Sequence, residues 1–264
     1  MEYLSINGRT DLDISAADRA LNYGDGLFTT AKVTKGNVEL LQAHIDRLEA
    51  GCKKLFIDDV NFHWLAKHVT EVATGYSEAV LKVIISAGAG GRGYSRVGVT
   101  PPNVIVSVHP FPTQYKKLQS EGLSLGVANT MLGINPQLAG LKHLNRLEQV
   151  LVRKELDSRI EDDLLVLNIH QHIVESSSAN VFYKINEQWY TPELNISGVK
   201  GLMREHILST LPDVVVCVNN LTALDNVNAM FICNCVFGIV PVKCFNNTEL
   251  SMEAVNLVKD ICQC

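Results

Sequence analysis

The sequence has neither a long apolar run nor a long run of one charge. Acidic or polar residues interrupt every apolar segment well before the ~20 residues that a membrane-spanning helix requires. The first residues, Met1-Glu2-Tyr3-Leu4-Ser5, lack the basic and then apolar start of a signal peptide. Nothing in the charge pattern favours nucleic acid or a membrane surface as a partner. We therefore expect a cytoplasmic protein.

The cysteines lack the spacing of a structural metal site. There are seven of them, an odd number, and the closest pairs, Cys233 with Cys235 and Cys262 with Cys264, are spaced C-x-C. Structural zinc sites instead combine C-x₂-C with a second such pair or with H-x₃₋₅-H. Cysteines of a cytoplasmic protein stay reduced and often behave as small apolar side chains. We expect buried thiols and no metal.

The composition is that of an ordinary globular protein, with 47% hydrophobic residues, 19% charged residues and a net charge of −5. Strand and helix patterns alternate along the chain without internal repeats, which predicts an α/β or an α+β fold. The predicted strands are Leu27–Val33, Val80–Ser86, Val104–Pro110, Leu123–Ala128, Leu164–Asn168, Asn180–Ile185 and Ala229–Cys233. The predicted helices are Leu41–Phe56, Phe62–Tyr76, Leu144–Arg159, Leu202–Leu211 and Ser251–Cys262.

One segment interrupts this alternation. Pro110 and Pro112 are too close together for the interior of a helix or of a central strand. We therefore predict two domains, an N-terminal one of residues 1–110 and a larger C-terminal one of residues 119–264, joined by a linker of residues 111–118.

Two basic residues are placed by these helix predictions. Arg47 lies near the middle of the first helix, while Lys142 lies in an irregular stretch just ahead of the helix that starts near Leu144. The spacing of Leu144, Leu147, Leu151 and Leu156 predicts the buried side of that helix.

A glycine cluster, Gly88-Ala89-Gly90-Gly91-Arg92-Gly93-Tyr94-Ser95, directly follows a predicted strand. A nucleotide-binding P-loop would end in Gly-Lys-Ser/Thr, and a dinucleotide-binding loop would lead into a helix, so neither motif is matched. The cluster is compatible with a flexible loop that offers Arg92 to a carboxylate, or with a surface hairpin whose arginine is solvated.

The segment Gly140-Leu141-Lys142-His143-Leu144-Asn145-Arg146-Leu147-Glu148 resembles the cofactor-lysine segment of the fold-type IV pyridoxal-phosphate enzymes. That group includes branched-chain and D-amino-acid aminotransferases and the aminodeoxychorismate lyases, and the latter match best. Further motifs follow the family's order over nearly the whole chain: Ile6–Gly8, Asp18–Ala20, Tyr23–Thr30, His44–Leu48, Gly90–Ser95, Val174–Asn180 and Gly201–Arg204. The resemblance implies a smaller N-terminal α/β domain, a larger C-terminal domain with mixed sheets and flanking helices, and a homodimer.

The resemblance also implies the cofactor-binding residues. Lys142 would hold pyridoxal phosphate covalently, and Glu175 would face its pyridine nitrogen and keep the ring protonated. Arg47 would bind the phosphate, for which a permanent planar cation is well suited. The backbone N–H groups of Leu202 and Met203 would bind the same phosphate at a helix start. Asn234 and Cys235 align with a further, more variable phosphate-binding position.

For the reaction, the resemblance implies that 4-amino-4-deoxychorismate is converted to 4-aminobenzoate and pyruvate, a step of folate synthesis. Lys142 would serve as the base, and Arg92, with Arg146 as a further candidate, would bind substrate carboxylates. Thr30 would assist proton delivery or orient the leaving group, although Thr29 and Thr30 are also ordinary residues for a strand.

Two other functions remain open at this point. An aminotransferase acting on branched-chain or D-amino acids would use the same cofactor and lysine on the same fold. A binding protein that has kept the fold without the chemistry is a second alternative, although Lys142, Glu175 and Arg47 are all present.

Overall fold

Buried and half-buried residues alternate along the strands of the first sheet. Along the strand Gly26–Thr34, residues Leu27, Thr29 and Ala31 are buried, and the residues between them are half-buried. Because side chains of a strand alternate between faces, the buried set marks the core face. The sheet is antiparallel with the order β1-β5-β4-β2-β3. Its strands are β1 (Tyr3–Ile6), β2 (Gly26–Thr34), β3 (Asn37–Val38), β4 (Glu78–Ser86) and β5 (Asn103–Pro110).

Two amphipathic helices cover the core face of this sheet. They are α2 (Leu41–Leu55) and α3 (Phe62–Ala73), preceded in the chain by the short α1 (Arg19–Tyr23). Ile45, Leu48 and Cys52 of α2 are buried with Leu65 and Val69 of α3. The predictions of both helices and of the three strands before residue 111 are confirmed, with ends shifted by a few residues.

The second sheet has nine strands in the order β11-β10-β9-β12-β13-β6-β7-β8, and β14 pairs with β13. Most neighbours are antiparallel, but β10 with β11, β13 with β6 and β6 with β7 are parallel, so the sheet is mixed. Its strands are β6 (Leu123–Val127), β7 (Asp163–Leu167), β8 (Ile173–Ser176), β9 (Asn180–Ile185), β10 (Gln188–Pro192), β11 (Val215–Cys217), β12 (Val227–Asn234), β13 (Gly238–Phe245) and β14 (Thr248–Glu249).

The helices of this part of the chain are α4 (Gln114–Glu121), α5 (Leu147–Leu156), α6 (Leu202–Thr210) and α7 (Glu253–Cys262), with a 3₁₀ helix at Leu221–Asn226. The predicted α+β class with a mixed second sheet is confirmed. The predicted helices near Leu202–Leu211 and Ser251–Cys262 correspond to α6 and α7.

The computed structural model describes residues 1–262, and these group into two units. Unit 1 comprises residues 1–112 and 142–145, and unit 2 comprises residues 113–141 and 146–264 of the chain. Within the predicted linker of residues 111–118, α4 already begins at Gln114. The division into domains of residues 1–110 and 119–264 stays a prediction.

Lys142 groups with unit 1, whereas the sequence suggested the C-terminal domain. The reason is backbone hydrogen bonding: Phe28 N–H donates to Lys142 O at 2.9 Å, and Leu144 N–H donates to Gly26 O at 3.1 Å. Residues 142–145 therefore continue the pairing of β2, and Lys142 lies in an irregular stretch as predicted.

The predicted buried side of α5 is wrong at Leu147 and Leu151 and is confirmed at Leu156. Leu147 and Leu151 are 78% and 59% exposed, and the buried residues of the helix are Val152 and Leu156. The helix also starts later than predicted, at Leu147, because the N–H of Leu144 is engaged by β2. Apolar residues occur on both sides of α5, so helical spacing alone could not identify the side that packs on the sheet.

Within residues 1–262, no helix is both long and apolar enough to cross a membrane. Cys52, Cys217 and Cys244 carry free thiols, and burial raises the pKa of Cys52 to about 12. Cys264, the last residue of the second C-x-C pair, lies outside the described residues.

Candidate active site

Lys142 is half-buried beside the face of the first sheet that lies opposite α2 and α3. We call this the open face. Its Nζ lies 4.5 Å from the centroid of the Phe28 ring. The Nζ of Lys82, on β4, lies 5.2 Å from the same ring. Two ammonium groups therefore contact one aromatic side chain, an arrangement that favours an anionic ligand near this face.

Thr30 lies on the open face and Thr29 on the core face. Phe28 and Thr30 are half-buried and alternate with buried residues of β2, so both side chains project on the same side of the sheet. Thr29 is 1% exposed, and its hydroxyl is 2.6 Å from Nδ1 of His44. Of the two threonines, only Thr30 shares the face of the Phe28 ring that Lys142 contacts.

Arg47 is on α2, one helical turn after His44, and is half-buried. Burial, together with the charges of Arg47 and Lys142, lowers the pKa of His44 to about 3. His44 is therefore neutral near pH 7, and the two cations are close enough to affect the same side chain. Unit 1 thus brings together Lys142 and Arg47, which the sequence separates by almost a hundred residues.

Glu175 provides a buried, fixed carboxylate in unit 2. The residue is 5% exposed on β8. Its Oε2 accepts a hydrogen bond from Val199 N–H at 2.9 Å, and its Oε1 accepts one from Gln149 Nε2 at 3.2 Å. These two hydrogen bonds fix the orientation of the carboxylate.

The start of α6 is held by Asn180. Its Oδ1 accepts from Gly201 N–H at 3.0 Å, and its Nδ2 donates to Val199 O at 2.8 Å. A Cβ at position 201 would lie 2.1 Å from Asn180 Oδ1, so this close approach requires glycine. Leu202 and Met203 are the first two helical residues. N–H groups of a first helical turn point out of the helix end and suit an anion.

Arg146 is half-buried at the residue before α5. Its Nη2 donates to Leu141 O at 2.7 Å. Burial lowers the pKa of Arg146, against the opposing effect of the negative charges of Glu175 and Glu148. Arg146 is therefore partly buried and held by the backbone ahead of α5.

Asn234 closes the turn between β12 and β13. Its Oδ1 accepts from the N–H groups of Val236 and Phe237, and its Nδ2 donates to Ser178 O at 3.3 Å. The side-chain oxygen is thus engaged within the turn. Cys235 is half-buried in the same turn. Phosphate binding by Asn234 and Cys235 stays a prediction.

Arg92 is exposed at the tip of the glycine loop. Ser95 N–H donates to Arg92 O at 3.2 Å, which closes a tight turn with Gly93 at φ +57. Arg19 donates to several carbonyl oxygens of this loop, beginning with Gly90 and ending with Ser95. The backbone of the loop is therefore anchored by these hydrogen bonds, while its arginine is exposed, as in the surface-hairpin alternative.

The sequence did not single out several side chains that position these groups. Gln149 and Asn180 were not recognised because amides bonded to a carboxylate or to backbone have no spacing of their own. Lys82 lies in a predicted strand and Arg19 in one of the family motifs, but the contacts of both depend on tertiary structure. Strand alternation could have placed Lys82 on the face of Ile84 and away from Leu81.

No three His, Cys, Asp or Glu side chains converge as a metal site would among residues 1–262. Unit 1 instead holds an amine, Lys142, and a guanidinium, Arg47, while unit 2 holds a buried carboxylate, Glu175, and the start of α6. These kinds of group suit the aldehyde, the phosphate and the pyridine nitrogen of pyridoxal phosphate.

The chain belongs to the class IV aminotransferase family, whose model matches residues 26–245. It is thus an enzyme of a family that depends on pyridoxal phosphate. It is 39% identical over 252 residues to an aminodeoxychorismate lyase of Vibrio harveyi, covering 94% of this chain and 93% of that one.

Solved structures agree with this assignment. The 4-amino-4-deoxychorismate lyase of Pseudomonas aeruginosa matches with a TM-score of 0.92 and 32% identity, covering 98% of this chain and 97% of that one. The branched-chain amino acid aminotransferase of Escherichia coli matches with a TM-score of 0.85 and 18% identity, covering 98% and 92%, and at that identity it supports the fold alone. The fold-type IV resemblance is confirmed.

Proposed function

We propose that this enzyme converts 4-amino-4-deoxychorismate into 4-aminobenzoate and pyruvate. The observation that carries the proposal is the position of Thr30, whose side chain projects from the same face of β2 as Phe28, the ring that Lys142 Nζ contacts. A lyase needs a base at the amine-bearing carbon and also a proton donor for the departing enol carbon. The names of the Vibrio and Pseudomonas relatives support the same reaction.

The residues that would bind the cofactor are those that the family resemblance implies. Lys142 would hold it covalently, and Glu175, fixed by Val199 N–H, would bind the protonated pyridine nitrogen. Arg47 and the N–H groups of Leu202 and Met203 would bind the phosphate. Pyridoxal phosphate, when bound, supplies an electron sink for the carbanion.

The remaining chemistry would belong to the side chains. Lys142 Nζ, released by the substrate amine, would remove the proton from the amine-bearing ring carbon. As the carbon–oxygen bond breaks and the ring becomes aromatic, the Thr30 hydroxyl would pass a proton to the methylene carbon of the leaving enolpyruvyl group. The proton gained by Lys142 would replace the one that Thr30 gives up. The neutral His44 binds Thr29 on the other face of β2, so it would not compete for this hydroxyl.

Arg92 would bind a substrate carboxylate, because its guanidinium is exposed at the tip of an anchored turn. Arg146 is the weaker candidate, since one of its N–H groups already binds Leu141 O. Arg92→Ala is expected to weaken substrate use while pyridoxal phosphate remains bound. An unchanged kcat/KM in this variant would remove Arg92 from the site.

A homodimer is part of the proposal. The exposed residues Leu147, Val150 and Leu151 form an apolar stripe on α5, with exposures of 78%, 59% and 59%. A stripe at positions i, i+3 and i+4 of one helix is costly in water and is suited to burial against a second copy of the chain. Light scattering after gel filtration should give twice the chain mass, and Leu151→Asp should lower it.

We also propose the cytoplasm as the location. The free thiols of Cys52, Cys217 and Cys244 are those of a protein from a reducing compartment. Cell fractionation with antibody detection would test this, and accumulation in an oxidising compartment would contradict it.

The decisive assay supplies enzymatically generated 4-amino-4-deoxychorismate and follows 4-aminobenzoate by fluorescence. A parallel assay supplies branched-chain or D-amino acids with 2-oxoglutarate. The expected result is 4-aminobenzoate formation with an equal amount of pyruvate. Transamination without 4-aminobenzoate would instead establish the aminotransferase alternative. A protein that gains no visible absorbance with pyridoxal phosphate would be a non-catalytic binding protein.

A further inference from the structure

The turn that carries Arg92 is attached to one buried guanidinium. Arg19 is 2% exposed at the first position of α1. Its Nη1 donates to the carbonyl oxygens of Gly93 and Ser95 at 3.2 and 3.1 Å and, more weakly, to that of Gly90 at 3.4 Å. Its Nη2 donates to Tyr94 O at 3.2 Å. One side chain therefore holds carbonyls on both sides of Arg92.

The Nε of Arg19 holds the guanidinium itself in place. Its Nε donates to Asp25 Oδ2 at 2.7 Å. Arg96 binds both oxygens of the same carboxylate and donates to Leu55 O and Phe56 O, each at 2.7 Å. Burial alone would raise the pKa of Asp25, but the bonds and charges of Arg96 and Arg19 lower it below its usual value. Asp25 is thus an ionised partner to both arginines.

The start of α1 is tied to the first sheet by Asp18. Its Oδ1 caps the helix at Ala20 N–H and accepts from the Ser86 hydroxyl, while its Oδ2 accepts from Asn103 Nδ2 at 2.9 Å. Ser86 ends β4 and Asn103 starts β5. Arg19 is therefore anchored to the sheet by its neighbour as well as by Asp25.

The turn has a glycine where a larger residue would collide with the Arg19 guanidinium. Gly91 has φ +76, and a Cβ there would lie 2.4 Å from Ser95 O and 3.0 Å from Arg19 Nη1. The Arg19 guanidinium also lies 4.9 Å from the Tyr23 ring, which packs edge-on against Tyr94 with centroids 5.6 Å apart. Arg19 therefore contacts the backbone of the turn directly, and it contacts the Tyr94 ring through Tyr23.

We propose that Arg19 is a positioning residue for substrate binding: it holds the 90–95 turn so that Arg92 meets a carboxylate of the substrate. The inference rests on the proposed function, in which Arg92 is the carboxylate-binding residue. Arg19 would act through Arg92 and would leave the bond-breaking step and the cofactor unaffected. Lysine cannot replace it, because one ammonium group cannot reach Asp25 and four carbonyl oxygens with planar geometry.

The test compares Arg19→Lys with the wild-type enzyme and with Arg9→Lys, which changes an exposed arginine whose partner is Asp11. A misplaced binding group raises KM by about 10- to 100-fold, and we expect this for Arg19→Lys with little change in kcat. Affinity for pyridoxal phosphate, measured by titrating the apoenzyme, should stay as in the wild type. Arg9→Lys should change none of the three quantities.

A double-mutant cycle tests whether Arg19 acts on substrate binding through Arg92. If Arg19 acts through Arg92, Arg19→Lys should add no further rise in KM to an Arg92→Ala enzyme. Independent, additive increases would overturn the proposal, and so would a fall in kcat or in cofactor affinity at unchanged KM. Where Arg19→Ala folds, added guanidinium should lower its KM, with sodium chloride at equal ionic strength as the control.

A readout without substrate separates this inference from the proposed function. Trypsin should cut after Arg92 about tenfold faster in Arg19→Lys than in the wild type, because the turn opens more often. Wild-type enzyme that forms no 4-aminobenzoate would refute the proposed function. Wild-type enzyme that forms it, with Arg19→Lys unchanged in KM and in trypsin cleavage, would refute the role of Arg19 alone.

Discussion

The two units provide the proposed functional groups in different ways. In unit 1 they are side chains on an open sheet face or at a loop tip, such as Lys142, Thr30 and Arg92, and buried residues hold their backbones. In unit 2 they are a buried carboxylate, Glu175, and the backbone N–H groups at the start of α6. Substitutions in unit 1 should therefore change chemistry at nearly constant stability, whereas those in unit 2 should also affect the backbone.

The largest effect is expected in unit 1, at Lys142. Lys142→Ala removes both the covalent attachment and the base, so 4-aminobenzoate formation should fall by at least about 10³-fold. The folded state should be retained because the side chain is half-buried on an open face. Borohydride reduction and peptide mapping should place the cofactor on Lys142 in the wild type and in the control Lys67→Ala, whose lysine is exposed.

Mapping of the reduced cofactor to any other lysine would contradict the assignment. Loss of the folded state in Lys142→Ala, detected by circular dichroism, would contradict the contrast between the units.

The next effect concerns unit 2. Glu175→Gln keeps the shape of the side chain but replaces a charge-assisted hydrogen bond worth about 1.5–3 kcal/mol, so kcat should fall roughly 10- to 100-fold. The absorbance maximum of the bound cofactor should shift as well, because the ring would lose its proton more easily. Glu187→Gln, at an exposed glutamate that pairs with Lys184, is the control.

The sequence was more informative about unit 1 than about unit 2, for reasons visible in individual elements. Strand β2 alternates and α2 is amphipathic, so both were found. Strand β13 was missed because Pro241 lies inside it, although Phe231 of β12 pairs at that position. The motif around Lys142 predicts the cofactor lysine, but the pairing of this residue with β2 depends on contacts more than a hundred residues apart.

A third prediction tests whether the unit 2 site depends on its backbone. Gly201→Ala would bring a Cβ to 2.1 Å from Asn180 Oδ1. Overpacking of a close contact costs about 1–3 kcal/mol, so the free energy of unfolding in urea should fall by that amount. Affinity for pyridoxal phosphate should weaken too, because the start of α6 must shift.

Gly75→Ala is the matched control in unit 1, where the nearest atom to the added Cβ would be Val72 O at 3.7 Å. Equal free energies of unfolding of the two variants would show that Asn180 can move aside without loss of stability. The start of α6 would then not require glycine at position 201.

The smallest effect tests the buried, neutral histidine of unit 1. The pKa of His44 is about 3 in the folded protein, because of burial and then the charges of Arg47 and Lys142, against 6.5 ordinarily. As the pH falls below 6.5, the unfolded chain binds a proton at this residue and the folded protein does not, so stability is lost. Between about pH 7.5 and pH 5.5 the loss from this residue should be about 1.4 kcal/mol.

His44→Gln should lack this part of the pH dependence, so its free energy of unfolding should fall less than that of the wild type over the same range. His63→Gln, at an exposed histidine, provides the control and should follow the wild type. Identical pH profiles for all three proteins would mean that His44 accepts a proton in the folded state. Arg47 and Lys142 would then not create a positive environment on this side of unit 1, and the case for an anionic ligand there would be weakened.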